Sequence, residues 1–326
     1  MKTILKCKWA VGLCLATLLM AACSTEETNV PPLAENESSK LISALEIVNQ
    51  ELMNDTAKVQ TRSWGQWQLG RKSDIISADW NGCRRGYNVG KTIGGFFGIE
   101  GRKYGIIIGC VVGGSYSSLK KWNDMNKKYE CNDNDEDFDG VLEMCRTLAV
   151  KGCITDEGII DEVILDPNEN LLPNEELVLM SNLDEQSLMV GKMHNVILAS
   201  LANSNDDLIL DEKLEKLPNQ KVSADVELQL TILDSEELQT ECKTIARDII
   251  NGQGDNNNST VDKILELFED VLKQYPEESK DVAFIIGKYT EIIDQSDELT
   301  EEEKMVLKST FATALCSSKY WEDNMQ

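Results

Sequence analysis

The spacing of apolar and polar positions predicts helices along most of the chain. Leu41, Leu45, Val48 and Leu52 recur at the three- to four-residue interval of one helix face and predict an amphipathic helix over 40–58. The same interval recurs through the C-terminal half, where prolines and polar loops separate the apolar stripes. There the pattern predicts helices over 138–151, 184–203, 206–217, 223–233, 235–251, 259–275, 276–295 and 300–322.

A ladder of glycines predicts a helical hairpin. Two runs of glycine with a four-residue step meet near Gly98, and each run covers about four helical turns, far beyond a usual strand of about 5–6 residues. Each glycine inside a helix costs about 1 kcal/mol relative to alanine, which the close approach of a second helix can offset. We therefore expect an all-α fold in which a glycine-zipper helical hairpin packs with a multi-helix bundle, and we expect Asp79 to be the N-cap of the first glycine helix. A flexible linker is the alternative, but the segment 106–112 is too apolar for one. The expected helix-packing glycines are Gly82, Gly86, Gly90, Gly94, Gly98, Gly101, Gly105, Gly109 and Gly113.

The N-terminus has the features of an export signal. Lysines precede an apolar run over 9–20 that is too short for a stable transmembrane helix. The small residues directly before Cys23 resemble the lipobox of bacterial lipoproteins, which implies that the signal is removed and that Cys23 is lipidated. The alternative is a secreted protein with an unmodified Cys23. The expected organisation is a signal peptide over 1–22, a flexible tether over 23–39, an N-terminal helix with the glycine hairpin over 40–128, and an acidic helical bundle over 129–326.

The charge distribution separates the hairpin from the rest of the chain. The sequence holds 57 acidic and 32 basic residues, a net charge of −25, which argues against a nucleic-acid partner. The segment from Trp80 to Lys128, however, contains nine Lys or Arg residues and only two acidic residues. The basic hairpin either docks on the acidic remainder of its own chain or meets an anionic partner, such as a protein or a lipid surface. Arg84, Arg85 and Lys91 disfavour insertion into a bilayer, so 106–112 is the segment that we expect to be apolar enough to enter lipid.

An acidic run after the hairpin matches the opening of an EF-hand calcium loop. Asp135, Asp137, Asp139 and Gly140 occupy the expected positions, but Arg146 stands where a bidentate glutamate is needed. Calcium is therefore one interpretation of this run, and a solvated acidic loop that caps the following helix is the other. We expect no other cofactor.

The available nucleophiles do not form a recognisable catalytic pattern. His194 is the only histidine, which excludes multi-histidine metal sites. It is either a histidine hydrogen-bonded inside the bundle or the base of a hydrolase that uses Cys145 or another cysteine. We expect no catalytic residue. The spacing of Cys131, Cys145 and Cys153 allows one local disulfide, with buried free thiols as the alternative.

Several short motifs together resemble a group of Bacteroidetes lipoproteins and exported proteins of unassigned function. The resemblance implies a helical exported protein and supplies no activity. Residues 24–27 are similar to the serine-and-acidic tag of outer-membrane lipoproteins, with surface exposure as an open alternative. We therefore expect a lipid-anchored envelope protein with a non-enzymatic structural or interaction role; the alternatives are a bacteriocin- or pore-like protein that inserts its hairpin, and a Cys/His hydrolase. The motifs are the lipobox at Cys23, Ala78-Asp79 before the hairpin, Gly191-x-x-His194-Asn195, and Ser318-x-Tyr320-Trp321.

Overall fold

A computed structural model of the protein describes residues 39–56, 66–126, 136–154, 172–202, 223–253, 259–274 and 278–324. Within these ranges the chain forms eleven helices and no strand, which confirms the predicted all-α class. In chain order the helices are α1 (Lys40–Thr56), α2 (Gln66–Gly95), α3 (Gly98–Asn126), α4 (Glu136–Val150), α5 (Glu175–Ser181), α6 (Glu185–Ala202), α7 (Ala224–Leu233), α8 (Glu236–Ile250), α9 (Thr260–Gln274), α10 (Ser279–Gln295) and α11 (Glu301–Asn324).

The glycine hairpin is built from the two longest helices, α2 and α3. They are joined by a tight turn in which the Phe97 amide donates to the Gly94 carbonyl at 2.9 Å. Gly98 has a φ of +87°, a conformation that side-chain-bearing residues rarely adopt, and it reverses the chain into α3. The helix α2 begins at Gln66, so the expectation that Asp79 caps it is wrong: the buried residues Ile76 and Trp80, four positions apart, continue one helical face across that position.

The other helices pack on the hairpin or beside it. The helices α6, α8 and α11 each pack on the hairpin, and α4 and α7 cover the outer face of α3. The first apolar cluster contains most of the buried apolar residues of α3, α4 and α6. A second cluster is formed mainly by α1, α9, α10 and α11 and is centred on Phe268, Tyr289 and Phe311. Residues 39–326 belong to one compact unit, so the hairpin and the acidic helices are parts of the same packed body.

Two features of this part of the fold were not apparent from the sequence pattern. Residues 106–112 are buried: Ile106 packs with Tyr87 and Val306, and the apolar residues from Ile107 to Val112 lie in the first apolar cluster, so this segment would reach lipid only if the fold opened. The short helix α5 carries no long periodic stripe and was not expected; it begins where the Asn174 side chain accepts from the Leu177 amide at 3.0 Å. The predicted helix over 206–217 lies outside the described residues.

Candidate functional site

The two hairpin helices touch through their backbones along the glycine ladder. Glycines pair across the interface from one end of the ladder to the other, and a Cβ atom at any of the eight paired positions would fall under 3.0 Å from an atom of the opposite helix or of the turn. Gly98 is the exception among the nine predicted packing glycines. A Cβ at this position would have no atom of another segment within 4 Å, and the residue serves the turn instead. The pairs are Gly82 with Gly113, Gly86 with Gly109, Gly90 with Gly105, and Gly94 with Gly101.

A disulfide between Cys83 and Cys110 links the hairpin helices across this ladder. Of the two alternatives for Cys131, Cys145 and Cys153, buried free thiols are what the structure contains at Cys145 and Cys153; Cys131 lies outside the described residues. The spacing along the chain could not reveal the true pair, since 27 positions separate its members. The glycine register was the missing signal: once Gly82 is set opposite Gly113, both cysteines fall at nearly the same level of the hairpin.

Polar side chains from three helices meet in the middle of the protein. Asp79 of α2, His194 and Asn195 of α6, and Ser317 of α11 are all fully buried, and we refer to these four residues as the polar centre. The Ser317 hydroxyl donates to Oδ2 of Asp79, and Nε2 of His194 lies 3.6 Å from Oδ1 of the same carboxylate. Nδ1 of His194 lies 3.2 Å from Oδ1 of Asn195, whose amide donates to the Cys316 carbonyl at 2.7 Å.

Glycines allow this close approach. A Cβ at Gly114 of α3 would lie 3.3 Å from Cδ2 of His194 and 3.2 Å from the Asp79 carbonyl oxygen. A Cβ at Gly191 would fall under 3.0 Å from the Ala312 carbonyl carbon, so α6 and α11 also meet through their backbones here. The histidine ring therefore lies against the space that a larger residue at Gly114 would fill.

Three of the four motifs that carry the resemblance converge on the polar centre. Ala78-Asp79 supplies the carboxylate, the Gly191 motif supplies His194 and Asn195, and the terminal motif follows directly after Ser317. In that terminal motif the Trp321 ring stacks on Trp122 of α3 with centroids 4.8 Å apart. Sequence reasoning noted each motif but could not show that they meet, because the three segments are separated by more than a hundred residues.

The geometry of the polar centre differs from that of a nucleophilic relay. In such a relay the histidine lies between the nucleophile and the carboxylate, whereas Asp79 lies between Ser317 and His194 here. The alternative pairing with Cys145 has no support from geometry: this thiol lies near Cys242 and Arg146, and burial raises its pKa to about 12. An activated cysteine has a lowered pKa instead. The position of His194 fits the interpretation of a histidine held inside the bundle.

Four basic residues of the hairpin are paired with acidic residues of the surrounding helices. Arg84 forms an ion pair with Asp262 of α9, and both side chains are only 9 % exposed. Arg85 donates to Asp248 of α8 at 2.8 Å. Near the turn, Lys91 of α2 and Arg102 of α3 both pair with Glu302 in the first turn of α11. The charge pattern left two alternatives for the basic hairpin, and in the structure the hairpin packs on the acidic helices of its own chain.

A polar cleft of about 420 Å³ lies beside these ion pairs, between α2, α8 and α9. Its charged side chains largely compensate one another: Lys121 lies 3.8 Å from Asp74, and Lys273 lies 2.8 Å from Glu269. Glu269 also accepts a hydrogen bond from the Ser77 hydroxyl at 2.9 Å. This compensation gives the cleft little preference for a ligand of either charge.

The calcium interpretation is wrong for the described part of the acidic run. An EF-hand needs these residues in a loop, but Asp137 and Asp139 lie inside the helix α4, and the Asp137 carboxylate accepts from the Asn123 amide at 2.9 Å. Arg146 instead donates to Asp234 at 2.8 Å. No cluster of three potential metal ligands occurs among the residues that the structure describes, and Asp135 lies outside them.

The turn of the hairpin presents apolar side chains to solvent. Phe96, Phe97 and Ile99 are 75 %, 46 % and 78 % exposed, and we refer to these three residues as the hairpin tip. They account for three of the seven large apolar side chains that are exposed in the described part of the chain. Sequence reasoning missed this feature because the tip is too short to stand out beside the longer apolar run of 106–112. None of the described helices is both long enough and apolar enough to span a bilayer.

Comparisons of the chain with protein-family models, with curated proteins and with solved structures gave no match.

Proposed function

We propose that this chain is a lipid-anchored cell-envelope protein with a structural or interaction role and no enzymatic activity. The observation that carries the proposal is the engagement of the basic hairpin by its own chain, above all the buried Arg84–Asp262 pair. A cation buried in this way is committed to the fold, because removing either partner leaves an uncompensated charge. The hairpin is thus the scaffold around which the acidic helices pack.

The attachment to the membrane rests on the lipobox. Ala21 and Ala22 precede Cys23 as the small residues of a lipoprotein cleavage site do, and the segment up to residue 39 can act as the tether. The similarity of 24–27 to an export tag supports the outer membrane as the location. Stable anchoring needs more than one acyl chain, which is what lipoprotein maturation supplies.

Acylation of Cys23 can be tested directly in cells. Cells that express the wild-type protein are fed radiolabelled palmitate, and the protein is then immunoprecipitated. The Cys23→Ser variant should lose the label, whereas Cys14→Ser should keep it, because Cys14 lies in the segment that is removed. Equal labelling of both variants would overturn the assignment of the anchor. Separation of inner and outer membranes on a density gradient then tests the location.

A membrane-active protein is the second candidate, and the exposed hairpin tip is the observation that favours it. Full insertion, however, would require Arg84, Arg85 and Lys91 to leave their carboxylates, at about 2.5–3.5 kcal/mol for each cation at the bilayer centre. The test is release of dye from loaded vesicles. Release by the wild-type protein that is lost in Gly105→Leu would favour the second candidate, and no release would favour the anchored scaffold.

A further inference from the structure

The chain enters the folded unit at the same end as the hairpin tip. The Leu41 amide, in the first turn of α1, donates to the Glu298 carboxylate at 3.1 Å. Glu298 lies just before α11, whose first turn contains Glu302. Glu302 in turn pairs with Lys91 of α2 and Arg102 of α3. Since Arg102 is three residues from Ile99, or about 5 Å along the helix, these contacts form a short path from the tip to the start of α1.

The opposite end of the bundle is defined by independent contacts. The Ser279 amide at the start of α10 donates to Glu322 at the end of α11 at 3.0 Å. Twenty residues of helix separate Glu302 from Glu322, which corresponds to about 30 Å. Phe284, another exposed aromatic residue, lies in the second turn of α10 and therefore on the side away from the tip.

The length of chain before α1 limits the distance between the tip and a lipid on Cys23. Sixteen residues separate Cys23 from Ser39, and a fully extended chain of that length reaches at most about 55 Å. A lipid at Cys23 therefore holds the tip's end of the protein within that distance of a bilayer. The opposite end lies about 30 Å farther along α11 and is held correspondingly less closely.

We infer that the hairpin tip is a second membrane contact, in which Phe96, Phe97 and Ile99 enter the interface of the bilayer that holds the Cys23 lipid. This inference rests on the proposed lipid anchor. The tip consists of three exposed side chains at a turn that backbone hydrogen bonds hold in place, so little conformational entropy is lost when it inserts. Apolar side chains at such a turn lose unfavourable exposure to water on entering the acyl boundary.

The charges around the hairpin tip indicate whether the contact needs anionic lipid headgroups. Lys91 and Arg102 share Glu302, and Lys103 lies 3.2 Å from Glu100, so cations and carboxylates are mixed behind the apolar side chains. A mixed ring of this kind has little attraction to anionic lipids. The contact is therefore apolar, and it forms on a zwitterionic phosphatidylcholine bilayer.

The test places an environment-sensitive fluorophore on the mature lipidated protein, which begins at Cys23, in phosphatidylcholine vesicles. The label is attached at Ile99→Cys, or at Phe284→Cys as the matched control, and the unsubstituted protein measures labelling of native thiols. Lipids brominated at shallow acyl positions are the quencher, because interfacial residues lie about 5–10 Å deep. Quenching at position 99 should exceed that at position 284 by at least about twofold. Equal quenching at the two positions would overturn the inference.

A second substitution tests whether the apolar side chains cause the contact. Adding Phe96→Ser to the Ile99→Cys protein should reduce the quenching while the far-ultraviolet circular dichroism stays unchanged, because the Phe96 side chain is 75 % exposed. Undiminished quenching in this variant would contradict insertion by the tip. A tip that serves a protein partner instead would show no quenching in pure lipid, which also overturns the inference.

A further arm separates this inference from the proposed anchor. The protein without residues 1–23 is tethered through an N-terminal histidine tag to vesicles that contain a nickel-chelating lipid. Quenching at position 99 in this system, together with absence of the palmitate label in cells, would refute the anchor and leave the tip as a membrane contact. Palmitate labelling without quenching would refute the tip contact and leave the anchor.

Discussion

Replacement of single glycines by alanine tests whether the hairpin is held by backbone contact. Gly90 lies in the middle of the ladder, where an added Cβ would meet the Gly105 carbonyl group and lie 3.0 Å from Cα of Gly109. Gly95, at the end of the same helix, would have no such neighbour within 4 Å. The two substitutions therefore add the same methyl group to one helix in opposite packing environments.

The expected effects on the free energy of unfolding differ in sign. Alanine improves helix propensity by up to about 1 kcal/mol at either position. At Gly90 the methyl group also overpacks the interface, which costs about 3 kcal/mol, at the upper end of the usual range, because all its close neighbours are backbone atoms that cannot rotate away. Gly90→Ala should therefore destabilise the protein by about 2 kcal/mol, and Gly95→Ala should leave it unchanged or stabilise it by up to about 1 kcal/mol.

Urea and thermal unfolding of the protein expressed without residues 1–23 measure this difference by circular dichroism. At roughly 2–4 °C for each kcal/mol, Gly90→Ala should lower Tm by about 4–8 °C, while Gly95→Ala should raise it by no more than about 4 °C. Equal Tm values for the two variants would refute the argument that the α2–α3 contact is too close for a Cβ. Both variants are compared with the disulfide oxidised, so that the covalent link is constant.

Three further perturbations test the ion pair, the disulfide and the buried thiols. Arg84→Met should lower the free energy of unfolding by about 3–5 kcal/mol because it leaves a buried carboxylate unpaired, whereas Arg102→Met, at a site 44 % exposed, should change it by less than about 1 kcal/mol in the same urea titration. Replacing Cys83 and Cys110 by serine should cost about 2–4 kcal/mol, and a variant as stable as the oxidised wild type would contradict a native disulfide. Burial raises the pKa of three free thiols to about 12, above the ordinary value of 9.0. The folded state therefore keeps these protons at a pH where the unfolded state loses them, and the contribution of the thiols to stability is complete below pH 9. It is lost as the pH rises towards 12, by about 1.4 kcal/mol per pH unit for each thiol. Urea titrations between pH 8 and about pH 11 should show a flatter decline when all three are changed to alanine; an equally steep decline would exclude the thiols as its cause. These thiols are Cys145, Cys242 and Cys316.

The sequence by itself determined the features that depend on neighbouring residues. The three- to four-residue apolar spacing placed most of the described helices within a few residues of their observed bounds, because one turn of helix defines which positions share a face. The four-residue glycine step predicted the hairpin, and the break in that step placed its turn beside Gly98, where a positive φ favours glycine. The alternation of acidic and basic regions indicated that the hairpin needs a counter-charge.

Only the tertiary structure decided which distant segments of the chain contact one another. The Asp79–Ser317 contact and the Cys83–Cys110 disulfide depend on how helices far apart in sequence are aligned, and no local pattern contains that alignment. The acidic run that contains Asp137 and Asp139 shows the reverse case: its sequence matched a calcium loop, but the buried side chains of Phe138 and Val141 hold these two residues in α4. Burial of an apolar face thus outweighed a local motif. The exposure of the hairpin tip was decided in the same way, because it depends on where the surrounding helices end.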